Sequence, residues 1–535
     1  MKRILVTLAV CLFAAGVSAQ ERPQVRTADG VIEGVYESGI RIFKGVPFAA
    51  APIGDLRWKA PQAVPAWSGV RAADEYGPNP MQENVFGDMN FGTDKMSEDC
   101  LYLNIWTPAK TMQEKLPVLI YFNGGGLYAG SGSEPRYAGE SMARKGVISI
   151  TANYREGIFG FFTHPELSAE ASYKGSGNYG FLDQAAAVKW VKANIAAFGG
   201  DPERITIMGE SAGSSSVSAL MVSPLSKGLF HQAMGSSASV LGFKKIYTLK
   251  EAEKIGEELV AKMGCKSVKE LRGLSAEELM KAAAVRNAPI NIDGYFFTED
   301  PEATYAKGEQ AQVPLLLGWN SSEMIPAYVL RGKPQTVANI RAYAEPTFGD
   351  ATDEVLRQYG ITDDAAVGGD PGVALTSDMF VAFNTWKWWY MHQQTCSQPI
   401  YRYRYCHPRP DMVVKDKVAG LAGGVQEKTS DAPAAPKITG AFHSTDIEYA
   451  MGNLPTNRLY DWQPEDYTIS DIFINYYANF VKTGDPNGLG LPEWTPTNGQ
   501  KVAPVMQIDV NTYEKADSKL EARYNYVNSL FPANK

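Results

Sequence analysis

Cysteine and histidine are scarce in this sequence, whose 535 residues contain only five of each. The cysteines form no C-x-x-C pair and the histidines are scattered, so their spacing indicates no metal site. The absence of these patterns predicts a protein without a bound metal, and no cofactor is predicted either.

Long apolar segments are also missing, apart from one near the N-terminus. Residues 4–17 are apolar, follow Lys2 and Arg3, and precede the small residues Val17-Ser18-Ala19. This arrangement is typical of a signal peptide covering residues 1–19, with cleavage before Gln20. Because the run is too short to cross a bilayer as a helix, we predict no membrane span. We expect the mature chain to be exported to the periplasm or secreted.

Basic clusters are absent as well. The formal net charge is −8, and removal of the two basic leader residues lowers it to −10. An acidic chain without a basic run is a poor partner for nucleic acid or for an anionic membrane surface.

Removal of the leader leaves four cysteines: Cys100, Cys265, Cys396 and Cys406. Export would make disulfides possible. Cys396 and Cys406 flank an alternating strand pattern, and a fully extended strand would hold them too far apart to bridge. A bridge would require the chain before Pro399 to fold back, so the sequence leaves open whether these two cysteines are bridged or free.

Short apolar runs alternate with helical patterns. Predicted buried strands cover residues 118–122, 147–151, 205–208 and 313–317. Predicted helices cover residues 182–197, 250–263, 276–285 and 376–394. This alternation indicates an α/β protein with a large, mostly parallel sheet, helices on both of its faces, and long loop or helical excursions. With no linker or repeat visible, we predict one domain over residues 20–535. The aromatic residues Trp386, Trp388 and Trp389 are expected in the core.

The most informative motif is Gly209-Glu210-Ser211-Ala212-Gly213. It follows a β-branched strand and precedes a small, apolar helix, which is the context of a nucleophile elbow. The flanking glycines allow a strained serine backbone, and the helix start directs N–H groups at developing negative charge. The alternative is an ordinary glycine-rich turn.

A second glycine-rich turn, Asn123-Gly124-Gly125-Gly126-Leu127, follows the first predicted strand. Its backbone N–H groups could bind a substrate oxyanion. A phosphate loop or a plain turn is the alternative, but the Gly-Lys-Ser/Thr of a phosphate loop does not follow.

Several longer motifs accompany these turns. They are Phe198-Gly199-Gly200-Asp201-Pro202, Glu98-Asp99-Cys100-Leu101-Tyr102-Leu103-Asn104, Phe43-Lys44-Gly45-Val46-Pro47, Asn153-Tyr154-Arg155 and Gly177-Asn178-Tyr179-Gly180. Together they resemble the type B carboxylesterases, the group of the cholinesterases and the bacterial para-nitrobenzyl esterases. The resemblance covers nearly the whole mature chain and implies the α/β-hydrolase fold.

The resemblance also implies site residues. The segment Gly440-Ala441-Phe442-His443-Ser444-Thr445-Asp446-Ile447 matches the family's base motif, so His443 would be the base. Glu323 would be the acid, with Asp446 as the alternative. The oxyanion donors would be the N–H groups of Gly125, Gly126 and Ala212. The order Ser211, Glu323, His443 is that of α/β-hydrolases.

Further residues carry over from the family by position. They form two buried ion pairs, Arg57 with Glu98 and Arg155 with Asp183. Asn123 stands where many bacterial members have histidine. The family's cysteine partner for Cys100 is replaced by Pro80, which predicts a free, buried thiol.

The expected activity is hydrolysis of a small-molecule carboxylic ester through an acyl-enzyme. The alternatives are a lipase-like esterase and a non-catalytic binding or adhesion protein on the same fold. The Gly/Ala-rich loop over residues 410–438 lies directly before His443. We hypothesise that it shapes the pocket entrance, the alternative being a solvated surface insertion.

Overall fold

The computed structural model describes residues 22–282, 289–422, 424–427, 439–500 and 502–531. The predicted signal peptide, the end of the predicted helix 276–285 and residues 428–438 of the predicted loop lie outside the described residues.

An 11-stranded sheet forms the centre of the fold. Its strands are β1 (Val35–Glu37), β2 (Ile40–Pro47), β3 (Tyr102–Thr107), β4 (Leu116–Phe122), β5 (Ile148–Ala152), β6 (Gly200–Glu210), β7 (Gln232–Ser236), β8 (Leu315–Asn320), β9 (Ile400–Tyr405), β10 (Pro504–Ile508) and β11 (Tyr513–Ala516). The spatial order is β11-β10-β9-β8-β7-β6-β4-β5-β3-β2-β1. In this spatial order, the strands from β10 to β5 pair in parallel. At one edge β11 pairs antiparallel with β10, and at the other edge β3 pairs antiparallel with β5, β2 with β3, and β1 with β2. The predicted, mostly parallel sheet is confirmed.

Helices follow most of the parallel strands. The longer ones are α1 (Tyr179–Asn194), α2 (Ala212–Val222), α3 (Leu249–Lys262), α4 (Val337–Phe348), α5 (Thr352–Tyr359), α6 (Asp370–Ser377), α7 (Phe383–Thr395), α8 (Pro464–Thr483) and α9 (Ser518–Leu530). Shorter helical segments span Glu140–Arg144, Gly157–Phe161, Pro165–Glu170, Val268–Arg272, Ala276–Ala282, Pro301–Lys307, Pro326–Val329, Asp364–Gly368 and Ile447–Ala450. A π-helical turn, Asp378–Ala382, connects α6 to α7, so the single helix predicted over 376–394 is wrong in its first part.

Successive strand residues point to opposite faces of the sheet, and each face is covered. In β4, Leu119 and Tyr121 pack in a cluster with α8 residues such as Phe473. The intervening Ile120 packs with α1 and α2 residues such as Val188 in the larger core cluster. Helices therefore bury both faces, as the apolar strands require. Trp386, Trp388 and Trp389 of α7 are buried in the larger cluster, as predicted.

One three-stranded sheet and three strand pairs surround the central sheet. They are Gln24–Arg26 with Val31–Glu33 and Val70–Ala72, Asn79–Pro80 with Met96–Ser97, Tyr247–Thr248 with Asn291–Ile292, and Lys417–Ala419 with Val425–Glu427. The last pair is an antiparallel hairpin inside the predicted loop 410–438. Among the described residues, no helix is long and apolar enough to cross a membrane.

The four cysteines among the described residues are free thiols. Cys396 ends α7 and Cys406 follows the extended strand β9, so the two do not bridge. Cys100 is buried, and burial raises the pKa of its thiol well above the usual value. A raised pKa keeps this thiol protonated and unreactive.

Candidate active site

Ser211 lies at a sharp turn between β6 and α2. Its backbone has φ 55° and ψ −121°, outside the regions that L-residues ordinarily occupy. The flanking glycines are required by space: a Cβ on Gly209 would lie 2.2 Å from the carbonyl carbon of Gly213. One on Gly213 would lie 2.1 Å from the carbonyl oxygen of Phe122. The strain of such a residue costs about 1–3 kcal/mol and persists only because the surrounding packing enforces it.

One backbone and one side-chain hydrogen bond hold the segment of His443 beside the end of β8. The N–H of Ser322 donates to the carbonyl of Ala441 at 2.8 Å, and the Asn320 amide donates to the carbonyl of Phe442, also at 2.8 Å. These bonds fix the segment that carries His443 next to the one that carries Glu323.

The imidazole of His443 lies between the other two residues predicted for catalysis. Its Nε2 is 2.9 Å from Ser211 Oγ, and its Nδ1 is 2.7 Å from Glu323 Oε2. The other carboxylate oxygen of Glu323 accepts from the Asn320 N–H at 2.6 Å and from the Ser237 hydroxyl at 2.5 Å. Because both carboxylate oxygens are bound, the carboxylate is held in one orientation toward the ring.

Asp446, the alternative acid, has different partners. Its oxygens accept from the Ser236 hydroxyl at 2.5 Å and from the Asn320 amide at 3.1 Å. Asp446 therefore supports the ends of β7 and β8, while Glu323 contacts the imidazole directly.

The glycine turn after β4 borders the same cavity as Ser211 and Ala212. Gly125 and Gly126 have φ of +111° and +70°, which a side chain would disfavour. A Cβ on Gly125 would also lie 1.7 Å from the carbonyl oxygen of Ala129. Gly125, Gly126 and Ala212, the last being the first residue of α2, all line this cavity, which is where the predicted oxyanion donors must lie.

Asn123, which replaces a common histidine, is part of a buried network. Its amide donates to the carbonyl of Gly124 at 2.9 Å and to Glu156 Oε1 at 3.1 Å. The Tyr154 hydroxyl donates to the Asn123 carbonyl at 2.9 Å. Burial raises the pKa of Glu156 well above its usual value and so favours the neutral carboxyl. The network anchors the start of the glycine turn, and sequence reasoning did not single out Glu156.

Glu210, also missed from the sequence, sets the electrostatics of His443. Its Oε1 lies 3.5 Å from His443 Nε2 and accepts from the Ser444 hydroxyl at 2.7 Å. Burial raises the pKa of Glu210 to about 7. Burial alone would lower the pKa of His443, but the charge of Glu210 and the hydrogen bond to Glu323 outweigh it and raise that pKa to about 9. The site thus favours a protonated imidazole, the form that a base acquires when it accepts a proton.

The structure contains both ion pairs implied by the resemblance. Arg57 donates from Nε to Glu98 at 2.7 Å, and Arg155 donates from Nε to Asp183 at 2.8 Å. Arg57 also donates to the carbonyl of Leu274 at 2.8 Å. Each pair ties together segments far apart in the chain.

Ser211 opens into a cavity of about 260 Å³. The Phe380 ring packs edge-on against His443, with centroids 4.8 Å apart. Leu421 and Ala422, at the tip of the hairpin in the predicted loop, also line the cavity. The Gly424 N–H donates to the Asp88 carboxylate at 3.0 Å and so anchors this tip.

Comparisons with known proteins agree with this architecture. Residues 21–527 match the model of the carboxylesterase family. The chain is 41% identical to a fumonisin B1 esterase of Sphingopyxis macrogoltabida over 71% of this chain and 70% of that protein. It is 32% identical to a human cocaine esterase over 85% of this chain and 82% of that protein.

Solved structures give the same result. A para-nitrobenzyl (PNB) esterase superposes with a TM-score of 0.78 at 28% identity, covering 96% of this chain and all of that one. A carboxylesterase of Geobacillus stearothermophilus also gives 0.78 at 28% identity, covering 95% of this chain and 100% of that one. The protein has the α/β-hydrolase fold, belongs to the type B carboxylesterase family and is a carboxylic ester hydrolase.

Proposed function

We propose that the chain hydrolyses small-molecule carboxylic esters through a Ser-His-Glu triad and an acyl-enzyme. Ser211 Oγ attacks the ester carbonyl while His443 takes the hydroxyl proton, and the carbonyl oxygen becomes an oxyanion. The backbone N–H groups of Gly125, Gly126 and Ala212 bind that oxyanion. Collapse breaks the bond to the alcohol, which leaves with the proton from His443.

Deacylation again uses His443 first as a base and then as an acid, with Glu323 orienting it. Water attacks the acyl-enzyme carbonyl and gives a proton to His443. Collapse then releases the carboxylic acid and returns the proton to Ser211 Oγ. Glu323 keeps the imidazole oriented and stabilises the imidazolium in both halves of the reaction.

One observation carries this proposal: a single imidazole lies 2.9 Å from a serine hydroxyl in a strained turn and 2.7 Å from a buried carboxylate. A serine hydroxyl is a weak nucleophile unless such a base is within hydrogen-bond reach. This geometry supplies the base and its orienting group together.

Mutation of Ser211 tests the nucleophile. We expect Ser211→Ala to lower kcat by a factor on the order of 10⁶ and to abolish labelling by a fluorophosphonate probe. The matched control is Ser215→Ala, which removes the hydroxyl of another serine, one turn into α2. The control should keep both its label and most of its activity. A labelled peptide carrying the adduct on another residue would contradict the assignment.

The two buried carboxylates can be ranked in the same assay. Glu323→Gln should lower kcat by about 10³–10⁴, the scale known for loss of an orienting carboxylate. Asp446→Asn should have a much smaller effect, because Asp446 binds Ser236 and Asn320. A larger loss in Asp446→Asn than in Glu323→Gln would reverse the assignment of the acid.

A further inference from the structure

Few charged side chains among the described residues line the cavity around Ser211. Apart from His443, they are Arg136, Glu210 and Lys244. Glu210 is already engaged with His443 and Ser444.

Arg136 is neutralised within the wall of the cavity. Its Nε donates to Glu134 Oε1 at 2.8 Å, and its Nη2 is 2.7 Å from the same oxygen. Both side chains are buried, and Nη1 is buried without a hydrogen-bond partner among the described residues. The guanidinium therefore keeps one unused donor, but its charge is already balanced by Glu134.

Lys244 differs from these groups. It lies in the segment after β7, is an exposed residue, and is among the residues that line the cavity. It makes no hydrogen bond or ion pair with any residue that the structure describes. The surrounding protein nevertheless desolvates the ammonium enough to lower the pKa of Lys244. The adjacent Lys245, in contrast, has Glu251 Oε1 at 3.5 Å.

An ammonium group without a counter-ion is unfavourable in a partly desolvated space. A ligand anion would supply the missing partner, and hydrogen bonds between charged groups are stronger than those between neutral ones. The remaining wall is formed largely by apolar residues and backbone, such as Phe380, Val381 and Leu421, so a carboxylate in this cavity would need Lys244 as its partner.

We propose that this cavity accepts esters that carry a free carboxylate, and that Lys244 is the specificity-determining residue that binds it. The inference rests on the proposed function, since the carboxylate must belong to a molecule whose ester group reaches Ser211. The carboxylate could be part of either the acyl or the alcohol portion of the ester.

Matched ester pairs test the inference and distinguish these two sources. The acyl pair is mono-4-nitrophenyl glutarate and neutral 4-nitrophenyl valerate. The alcohol pair is 4-acetoxybenzoate and neutral 4-acetoxybenzamide. For each pair, the ratio of kcat/KM for the anionic ester to that for the neutral ester is measured after subtraction of uncatalysed hydrolysis.

We expect Lys244→Gln to lower this ratio about tenfold to a hundredfold in one pair, mainly through KM, with the neutral ester unaffected. Lys244→Arg should keep much of the preference, and Lys244→Glu should lower the ratio further. The matched control, Lys245→Gln, removes the same charge one residue away and should leave the ratio unchanged. Hydrolysis of the neutral esters also verifies that each variant is folded.

Other outcomes overturn the inference. An equal loss for both members of each pair would make Lys244 a structural residue, and an unchanged ratio would show that it binds no carboxylate. An equal effect of Lys245→Gln would indicate that the positive charge attracts the anionic ester from a distance and that Lys244 makes no direct contact with the carboxylate. A wild-type chain inactive on all four esters would overturn the proposed function itself, whereas the other results leave that function standing.

Discussion

Single residues decide the protonation state of the site. Glu210 and Glu323 both contact the imidazole of His443, but from different sides: Glu323 at Nδ1 and Glu210 near Nε2. A base must be neutral to accept the proton of Ser211, so every group that stabilises the imidazolium also raises the pH needed for activity.

The pH profile should therefore respond to Glu210. The pKa of His443 is raised to about 9, so kcat/KM should fall as the pH drops through that region. Removing the negative charge in Glu210→Gln destabilises the imidazolium, lowers its pKa and should shift the acid limb to lower pH. Glu210→Asp, which retains the charge, should shift it less. An acid limb that stays in place or moves to higher pH in Glu210→Gln would contradict this account.

The residues predicted from motifs differ from those that only the structure revealed. Ser211, Glu323 and His443 each lie in a short segment with a recognisable pattern, and the structure brings the three together. Lys244 and Glu156 lie in no such pattern. The environment of each is completed by segments distant in the chain, so neither the partners of Glu156 nor the lack of a partner at Lys244 could be read from neighbouring residues.

At the scale of elements, the four predicted strands are found as β4, β5, β6 and β8, each with a shifted end. They contain mostly apolar or β-branched runs, such as residues 205–208 of β6, because helices cover both faces of the sheet. The buried strands β3 and β7 were not predicted, because polar or small residues such as Asn104 and Gly235 interrupt their apolar pattern. The short antiparallel strands at the two edges, such as β1 and β11, are partly exposed and lack that signal. The π-helical turn Asp378–Ala382 was not predicted. A π-helical turn contains one residue more than an α-helical turn, and this difference leaves the apolar pattern of the segment uninterrupted.

The hairpin tip gives a test of the loop hypothesis. Ala422 is buried against the cavity, so Ala422→Phe should narrow it. We expect kcat/KM for a bulky acyl ester to fall about tenfold or more, while a small acetate ester is nearly unaffected. Ala419→Phe places the same ring on a hairpin strand instead of at the tip and serves as the control. Equal losses for both esters, or none, would argue that the tip does not shape the entrance.

For the molecule as a whole, the match to the carboxylesterase family begins at residue 21, directly after the predicted leader. We propose that residues 1–19 direct export and are then removed. N-terminal sequencing of the mature protein should start at Gln20, and Ala19→Arg, which places a large charged residue at the cleavage site, should retain the leader. A mature protein that still begins at Met1 would contradict the proposal.

The four free thiols have a consequence for how the chain can be made. With Cys100 and Cys396 buried and Cys406 outside any disulfide, the described fold needs no oxidation step and no disulfide isomerase. Its stability comes from the core clusters and buried ion pairs, which are independent of redox potential. We therefore expect residues 20–535 to fold in a reducing cytosol, and a thiol reductant should leave ester hydrolysis by the purified protein unchanged.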